Sequence, residues 1–595
     1  MALTGTEKHR WWKEAVVYQV YPSSFLDSNG DGWGDLPGIT SKLDYLKDLG
    51  VDILWSSPIC KSPQADMGYD ISDYKAIDPI YGTLQDVDHL IAELKKRDMK
   101  LMMDVVFNHT SDQHAWFLES RASVDNPKRD WYIWKKPKID KDGNREPPNN
   151  WCQILGDAKS AWTYDEKTEE YYLSLFTPEQ PDLNWETPDV RAAVHDVMLF
   201  WLERGACGFR MDVINLISKD QSFPDAPISV PDQKYQLGTK FFANGPRLHE
   251  YLREIHQKVL SKYDTITVGE MPWVSDVDEI LKVVGSKGGE LDMIFIFDIV
   301  DIDGAPGQPR FSEYKWTLRD LKRIVKKWQR TMIERDGWNS LFVENHDNPR
   351  SVSRYVDDSD EFRDRGAKLL ALMQTTLSGT LYVYQGEELG MRNAPLSWEP
   401  EEYKDVEARN LWKKYTSRYP NDPSKLKEGR RLLQSKARDH ARLPMQWSSA
   451  PNAGFCPADA KPWMRINDDW THLNAAAQMS STPDATNPLS NWQYWKRGLA
   501  ARKEHKDVFV YGDFEMLDEA HERVLAYLRT GEEAGTWIIV LNFSGHVAEW
   551  QIPEGVTVTG WMASTYDGAG GGKPDKSTAE VVQLDPWEGL LGKCA

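Results

Sequence analysis

Cysteine is scarce, basic residues are outnumbered by acidic ones, and no long apolar run exists in this 595-residue sequence. The five cysteines, Cys60, Cys152, Cys207, Cys456 and Cys594, are scattered, odd in number and never spaced C-x-x-C. That excludes a disulfide framework and a structural zinc site, and it agrees with a reducing, cytoplasmic setting. Cys60 and Cys207 lie in apolar strand-like segments and read as buried thiols. Lysine and arginine total 72 against 92 aspartates and glutamates, a net charge of -20. Such a surface repels phosphate backbones, so nucleic acid is excluded as a partner. A mean hydropathy of -0.60 without a long apolar segment excludes a membrane span. The first twenty residues, MALTGTEKHRWWKEAVVYQV, have no apolar stretch ahead of their charges and do not read as a secretory signal. Internal repeats and low-complexity linkers are also missing.

What is present is ordinary globular composition in a chain too long for one core. Short β-rich runs alternate with helical patterns. The strand candidates are Val16–Tyr21, Ile53–Ser57, Lys100–Phe107, Gly208–Val213, Thr265–Glu270, Met293–Asp298, Ser340–Glu344 and Thr380–Tyr384. Amphipathic stretches lie between them: Leu84–Arg97, Val190–Glu203, Gly245–Leu260, Thr317–Arg335 and Asp364–Leu377. The βα alternation with buried strands predicts a parallel α/β sheet, and eight strands predict closure into a (β/α)8 TIM barrel. Two gaps break the rhythm. Residues 110–184, rich in Trp, Lys, Pro and Asn, read as a small inserted domain after the third strand. Residues 393–440, dense in charge, read as a long loop excursion after the eighth. The barrel then comprises 1–109 and 185–511, and the alternating runs of 512–595 predict an antiparallel β-sandwich domain at the C-terminus.

The chemistry is read from strand ends. In a barrel of this kind, side chains at the C-terminal ends of the strands meet in one pocket. LMMDVVFNH ends in Asn108 and His109, GFRMDV carries Arg210 and Asp212, TITVGEM carries Glu270, and SLFVENHD ends in His346 and Asp347. One acid at a strand end is readily a helix cap or a paired core charge. Four polar strand ends projecting to one side of a barrel are poorly explained that way. The 26 tryptophans add aromatic faces that can pack on sugar rings, although most tryptophans in a large protein are structural.

These segments resemble the ordered motifs of the α-amylase family, glycoside hydrolase family 13. DVVFNH (Asp104–His109), GFRMDV (Gly208–Val213), VGE (Val268–Glu270) and FVENHD (Phe342–Asp347) match in order and at fitting separations. QPDLN (Gln180–Asn184), MGYDISDY (Met67–Tyr74) and ARLPMQW (Ala441–Trp447) resemble the oligo-1,6-glucosidase and maltase branch. The resemblance spans nearly the whole chain, and the set is specific where any single motif is weak. It implies an α-glucosidase with Asp212 as nucleophile, Glu270 as general acid/base and Asp347 as the third carboxylate. Arg210 falls on the same side of its strand as Asp212 and is expected to keep it ionised. His109 and His346 are expected to donate to the same glucosyl unit. Asp66 would pair with Arg438 and close the pocket beside Tyr69, with Arg442 near the next subsite. Phe176 and Gln180 would reach in from the inserted domain. A pocket closed at one end implies exo action on short substrates.

Val213 directly follows the nucleophile and is expected beside the leaving group. Valine there accompanies α-1,6 action in the resembling family, so isomaltose-type substrates are expected, with maltose also accepted. GEMPW (Gly269–Trp273) resembles the oligo-1,6-glucosidase form, except that Trp273 stands where a glycine is expected. Asp27, Asn29, Asp31 and Asp35, with the Trp33 carbonyl, resemble a calcium loop; the spacing matches the front half of an EF-hand loop but lacks its terminal glutamate. A metal-free Asx-turn loop is the competing reading. Transglucosidases and sucrose isomerases would use the same nucleophile and acid, and a phosphotrehalose hydrolase would need a basic pocket that the sequence does not reveal. Inactive relatives that serve amino-acid transporters would carry a membrane helix and be free to lose Asp212 or Glu270. An inactive sugar-binding protein is the remaining alternative.

Overall fold

A computed structural model describes residues 10–155, 158–285, 289–304, 310–483, 488–567 and 580–595. Eight strands form one sheet: β1 (Val16–Val20), β2 (Ile53–Ser56), β3 (Lys100–Val106), β4 (Gly208–Asp212), β5 (Ile266–Glu270), β6 (Met293–Phe295), β7 (Ser340–Leu341) and β8 (Thr380–Tyr384). They pair in parallel in the order β6-β5-β4-β3-β2-β1-β8-β7. The ladder is open between β6 and β7. There the Ser340 hydroxyl donates to the Ile294 carbonyl at 2.8 Å and joins the two edges. The result is the expected TIM barrel, closed as nearly as two short strands allow.

Period-two alternation sorts the strand residues. Val16, Tyr18 and Val20 of β1, and Phe209 and Met211 of β4, face outward into the helix-packed core. Val17, Ile53, Trp55, Met102, Ile266, Val268, Met293, Phe295 and Tyr382 face inward and fill the barrel floor. One or two pleats further along the same inward rows stand Gln19, Asp104, Arg210, Asp212 and Glu270. The floor excludes water, and the last inward residue of each strand reaches the top.

The outer layer includes α1 (Leu84–Lys96), α2 (Pro188–Arg204), α3 (Leu248–Lys258), α4 (Leu318–Glu334) and α5 (Arg363–Thr376). Their ends follow local chemistry. Thr83 and Asp86 form a capping box at the start of α1, and Gly205 takes the left-handed conformation (φ 116°) that stops α2. Within the segment between β3 and β4, Trp134–Lys135, Glu170–Leu173 and Trp162–Asp165 make a small antiparallel sheet. Its exit is tied to β3: the Leu183 N–H donates to the Asn108 carbonyl, and a buried Lys219–Asp182 ion pair of 2.9 Å links it to the loop after β4. After β8 the polar stretch folds as two helices, α6 (Val406–Arg418) and α7 (Pro423–Lys436), before α8 (Asn491–Glu504) returns to the barrel.

Beyond α8 the chain is antiparallel. The strands β9 (Asp513–Leu517), β10 (Val524–Gly531), β11 (Gly535–Asn542), β12 (Val558–Ser564) and β13 (Gly589–Cys594) order as β9-β10-β11-β13-β12. A two-stranded sheet of Ala548–Gln551 and Val581–Leu584 packs on it through Val540, Trp550, Trp561 and Leu584. Among the described residues no helix is long and apolar enough to cross a membrane. All five cysteines are unpaired; Cys60 is buried, whereas Cys207, just before β4, keeps partial exposure.

Candidate active site

Strand register sets the first contact. Arg210 lies directly opposite Asp104 in the β4–β3 ladder, so their inward side chains are neighbours. Arg210 Nη1 reaches Asp104 Oδ1 at 2.9 Å and Asp212 Oδ1 at 2.8 Å, and its Nη2 pairs with Glu270. One guanidinium therefore joins the carboxyl groups at the ends of β4 and β5, as a planar fork with several donors can. Asp104, Asp212 and Arg210 are withdrawn from solvent, Asp212 being 6% exposed and Arg210 2%, whereas Glu270 keeps partial exposure.

A second string of hydrogen bonds crosses the barrel top. Gln19 Nε2 donates to His346 Nδ1 at 2.8 Å, which leaves the Nε2 hydrogen of His346 to face the Tyr69 hydroxyl at 2.7 Å. Tyr69 in turn donates to Asp104 Oδ2 at 3.1 Å, where the Trp55 indole also donates. Burial pushes the pKa of His346 down to about 3 and that of His109 down to about 4, so both rings are neutral near pH 7. His109 Nε2 donates to the Tyr69 carbonyl at 3.0 Å, and Phe176 stands 5.0 Å from its ring.

The expected clamp is formed. Arg438 Nη2 meets Asp66 Oδ1 at 3.0 Å, and Gln180 Nε2 donates to Asp66 Oδ2 at 3.2 Å. Arg442 joins the same cluster of charges. Its Nη2 contacts Asp347 Oδ1 at 2.9 Å, the same oxygen that Arg438 Nη1 approaches at 3.2 Å. The two arginines converge because they leave one short 3-10 turn, Arg438–Arg442, and both point into the pocket.

Asp405 was not visible in the sequence. It lies in the excursion, where no periodicity marks a buried carboxylate. Its Oδ2 accepts from Arg438 Nη2 at 2.7 Å and from Arg442 Nη1 at 2.8 Å. Its Oδ1 accepts from the Glu407 N–H and caps α6. Asp104, Gln19 and Trp55 were missed too, although Asp104 carries a legible signal: it alternates with Met102 on the inward face of β3.

The electrostatics differ in one respect from the expectation for Asp212. Arg210 does favour its ionised form. Burial pushes the other way, and with the neighbouring Glu270 and Asp104 it raises the Asp212 pKa well above the ordinary carboxylate value. Asp104 likewise rises to about 6, by burial against Arg210. Asp347 is the opposite case. Burial would raise it, but His346, Arg438 and Arg442 outweigh burial and hold it well below the ordinary value. With His346 neutral, the two guanidiniums carry that effect near pH 7.

A carboxylate pair bridged by arginine at the top of a barrel, with a third carboxylate fixed beside it, is an arrangement suited to acetal chemistry. The α-amylase catalytic-domain model matches residues 19–512. The chain belongs to the α-amylase family. It is 49% identical over 588 residues, 98% of each chain, to an α-glucosidase of Schizosaccharomyces pombe. It is 45% identical to an oligo-1,6-glucosidase of Parageobacillus thermoglucosidasius, over 98% of this chain and 99% of the relative. A solved isomaltulose synthase of Erwinia rhapontici superposes with a TM-score of 0.90 at 37% identity, covering 100% of both chains.

Two further features of this α-amylase family member lie at positions marked in the sequence. Val213 is buried and takes a left-handed conformation, φ 33° and ψ 43°, which a β-branched residue adopts only when its surroundings impose it. It packs in one cluster with Leu216 and Phe242. The Asp27–Asp35 loop is a chain of Asx turns. Asp27 accepts the N–H groups of Asn29, Gly30 and Gly32, Asn29 accepts that of Asp31, and Asp31 that of Trp33. Asp35 accepts from Ser28 and caps the next helix through the Gly38 N–H. Among the described residues no three acidic, histidine or cysteine side chains converge as a metal cluster. The donor set itself is all oxygen and fits a hard cation such as calcium.

Proposed function

We propose that this chain is a retaining, exo-acting α-glucosidase that removes terminal glucose from short α-glucosides of the isomaltose and maltose types. The observation that carries the reading is Arg210 bridging Asp212 and Glu270 in a pocket whose far end is shut by the Asp66–Arg438 pair. A closed end admits one glucosyl unit, so the bond attacked is the terminal one. The α-glucosidase and oligo-1,6-glucosidase relatives support the same substrate class.

The chemistry runs in two displacements. An Asp212 oxygen attacks the anomeric carbon while Glu270 gives its proton to the glycosidic oxygen; the carbon–oxygen bond breaks and a glucosyl ester forms on Asp212. Glu270, now a carboxylate, takes a proton from water. That water's oxygen attacks the anomeric carbon, the ester bond breaks and Asp212 is released. The two inversions give retention. Substrate must arrive with a proton on Glu270 and with Asp212 ionised; Arg210 contacts both carboxyls, through Nη2 and Nη1. Asp347, held ionised by Arg438 and Arg442, would grip the sugar hydroxyls and favour an oxocarbenium-like transition state. The neutral His109 and His346 would line the same glucosyl site without adding charge.

Val213 supports preference for α-1,6 bonds. An α-1,6 link has an extra methylene and rotatable bond, so its leaving sugar can swing clear of a branched wall. Calcium would be held by Asp27, Asn29, Asp31, Asp35 and the Trp33 carbonyl, supplying charge to tie the loop and none to the reaction. Five unpaired cysteines support a reducing, cytoplasmic setting. Glucosyl transfer or sucrose isomerisation on the same scaffold is the second reading, favoured by the likeness to the isomaltulose synthase.

The test is a glucose-release panel on maltose, isomaltose, sucrose and trehalose, with the early product followed by NMR. α-Glucose from isomaltose and maltose is expected, and Asp212→Asn should abolish it with the fold intact. An initial β-anomer refutes the double displacement, and isomerised sucrose as main product favours the second reading.

A further inference from the structure

Arg442 reaches Asp347 from a single 3-10 turn, a conformation with poor hydrogen-bond geometry and little stiffness of its own. The barrel holds that turn from outside. Two peptide groups flank Arg442, and the carbonyl of each accepts a hydrogen bond from a fully buried side chain. The Tyr384 hydroxyl, at the end of β8, donates to the Ala441 carbonyl at 2.7 Å. The Ser24 hydroxyl, in the turn after β1, donates to the Arg442 carbonyl at 2.6 Å. Strands β1 and β8 are neighbours in the ladder, so both donors come from one side of the sheet. Each donor is itself held. The Trp463 indole donates to Ser24 Oγ at 3.1 Å, which leaves the Ser24 hydrogen for Arg442, and the Met445 N–H donates to the Ser24 carbonyl at 2.8 Å. The Arg350 guanidinium stands 5.1 Å from the Tyr384 ring, and its Nη2 approaches the same Ala441 carbonyl at 3.4 Å. Arg350 is fixed in turn by Glu344 Oε1 at 2.6 Å and by the Gln385 carbonyl at 2.7 Å. Glu344 and Arg350 are both buried, so water does not compete for the pair.

We propose that Tyr384 and Ser24 are positioning residues, which fix the peptide frame of Arg442 and so aim its guanidinium at Asp347. The Glu344–Arg350 pair backs Tyr384. A guanidinium stands at the end of a long side chain, so a small rotation of its backbone is magnified where it meets the carboxylate. A misplacement of about 1 Å in a reacting site can cost roughly 100-fold in rate. Asp405 and the His346 carbonyl also hold the Arg442 side chain, at 2.8 and 3.0 Å. Removing one hydroxyl therefore loosens the aim without releasing it, and a loss of about fivefold, the worth of one buried hydrogen bond, is expected. The loss should fall on the glucosyl unit that Asp347 grips. The inference rests on the α-glucosidase reading and adds to it the residues that hold its third carboxylate in place.

The experiment measures kcat/KM on isomaltose, the Kd of glucose by titration calorimetry, and Tm. It compares the wild type, Tyr384→Phe, Ser24→Ala, Arg442→Lys and the double variants that combine each hydroxyl deletion with Arg442→Lys. Tyr384→Phe and Ser24→Ala should each lower kcat/KM about fivefold and weaken glucose binding by a similar factor. In the Arg442→Lys background either change should cost less than about twofold, because the guanidinium it aims is gone. A hydroxyl that only satisfies a buried carbonyl would lower Tm and leave glucose affinity unchanged. Glucose Kd and kcat/KM within about twofold of wild type strike that residue from the proposal, and for both variants overturn it. Losses that multiply in full with Arg442→Lys overturn it too. If Arg442→Lys does not fold, the glucose Kd of the single variants decides alone. A wild type that binds glucose and cleaves no isomaltose overturns the α-glucosidase reading instead, and the glucose Kd still tests the positioning of Arg442.

Discussion

Asp405→Asn removes one charge and changes no volume, yet it should be severe. A single oxygen, Oδ2, takes Arg438 at 2.7 Å and Arg442 at 2.8 Å, while Oδ1 takes the Glu407 N–H at 2.9 Å. Asparagine has one acceptor where aspartate has two. If its oxygen faces the arginines, its NH2 meets the Glu407 N–H and the α6 cap is lost, at about 1 kcal/mol. If it faces the helix, the NH2 meets two guanidiniums. Asp405 is only 1% exposed, so water cannot replace the missing acceptor. Breaking one partner of a buried ion pair costs about 3–5 kcal/mol. Part of that should appear as stability and part as disorder of Arg438 and Arg442, which also hold Asp66 and Asp347. We expect a lowered Tm and a fall in kcat/KM on isomaltose of about 100-fold, equivalent to about 2.7 kcal/mol, measured well below the variant's Tm. Thermal unfolding and steady-state kinetics on one preparation separate the two parts. A variant within twofold of wild-type kcat/KM, with unchanged Tm, would refute the idea that Asp405 sets the arginine clamp.

Three further outcomes are expected. Because burial, Glu270 and Asp104 raise Asp212 and only its ionised form attacks, activity should be lost as pH falls through a value above the ordinary carboxylate pKa; Arg210→Met should move the acid limb of the kcat/KM profile higher still, and an unmoved limb would dissociate Arg210 from Asp212 ionisation. Val213→Thr should shift the isomaltose-to-maltose ratio toward maltose by no more than about 10- to 200-fold, the range open to one methyl-sized contact; an unchanged ratio would remove Val213 from linkage selection. Chelation of calcium should lower Tm more than it lowers the rate at low temperature, and a Tm indifferent to chelator and to added calcium would leave the Asp27–Asp35 loop as metal-free Asx turns.

The sequence by itself determined the barrel and the placing of the candidate carboxyls at strand ends, because both follow from local pattern. Period-two alternation along Gly208–Asp212 puts Arg210 and Asp212 on one face whatever surrounds them, and an apolar run ending in a charge places that charge at a strand end. Strand starts were legible to within one residue, whereas β6 and β7 end three residues short of the expected Asp298 and Glu344. Only the tertiary structure decided how the charges are shared. Asp405 gains its contacts from chain segments that no local rule connects, and Arg442 grips Asp347 because its short 3-10 turn aims it there. The ionisation of Asp212 was likewise beyond the sequence: the residues name Arg210 as a stabiliser, but the sign of the balance depends on burial and on how many other carboxyls arrive within reach. Those quantities exist only once the strands are side by side.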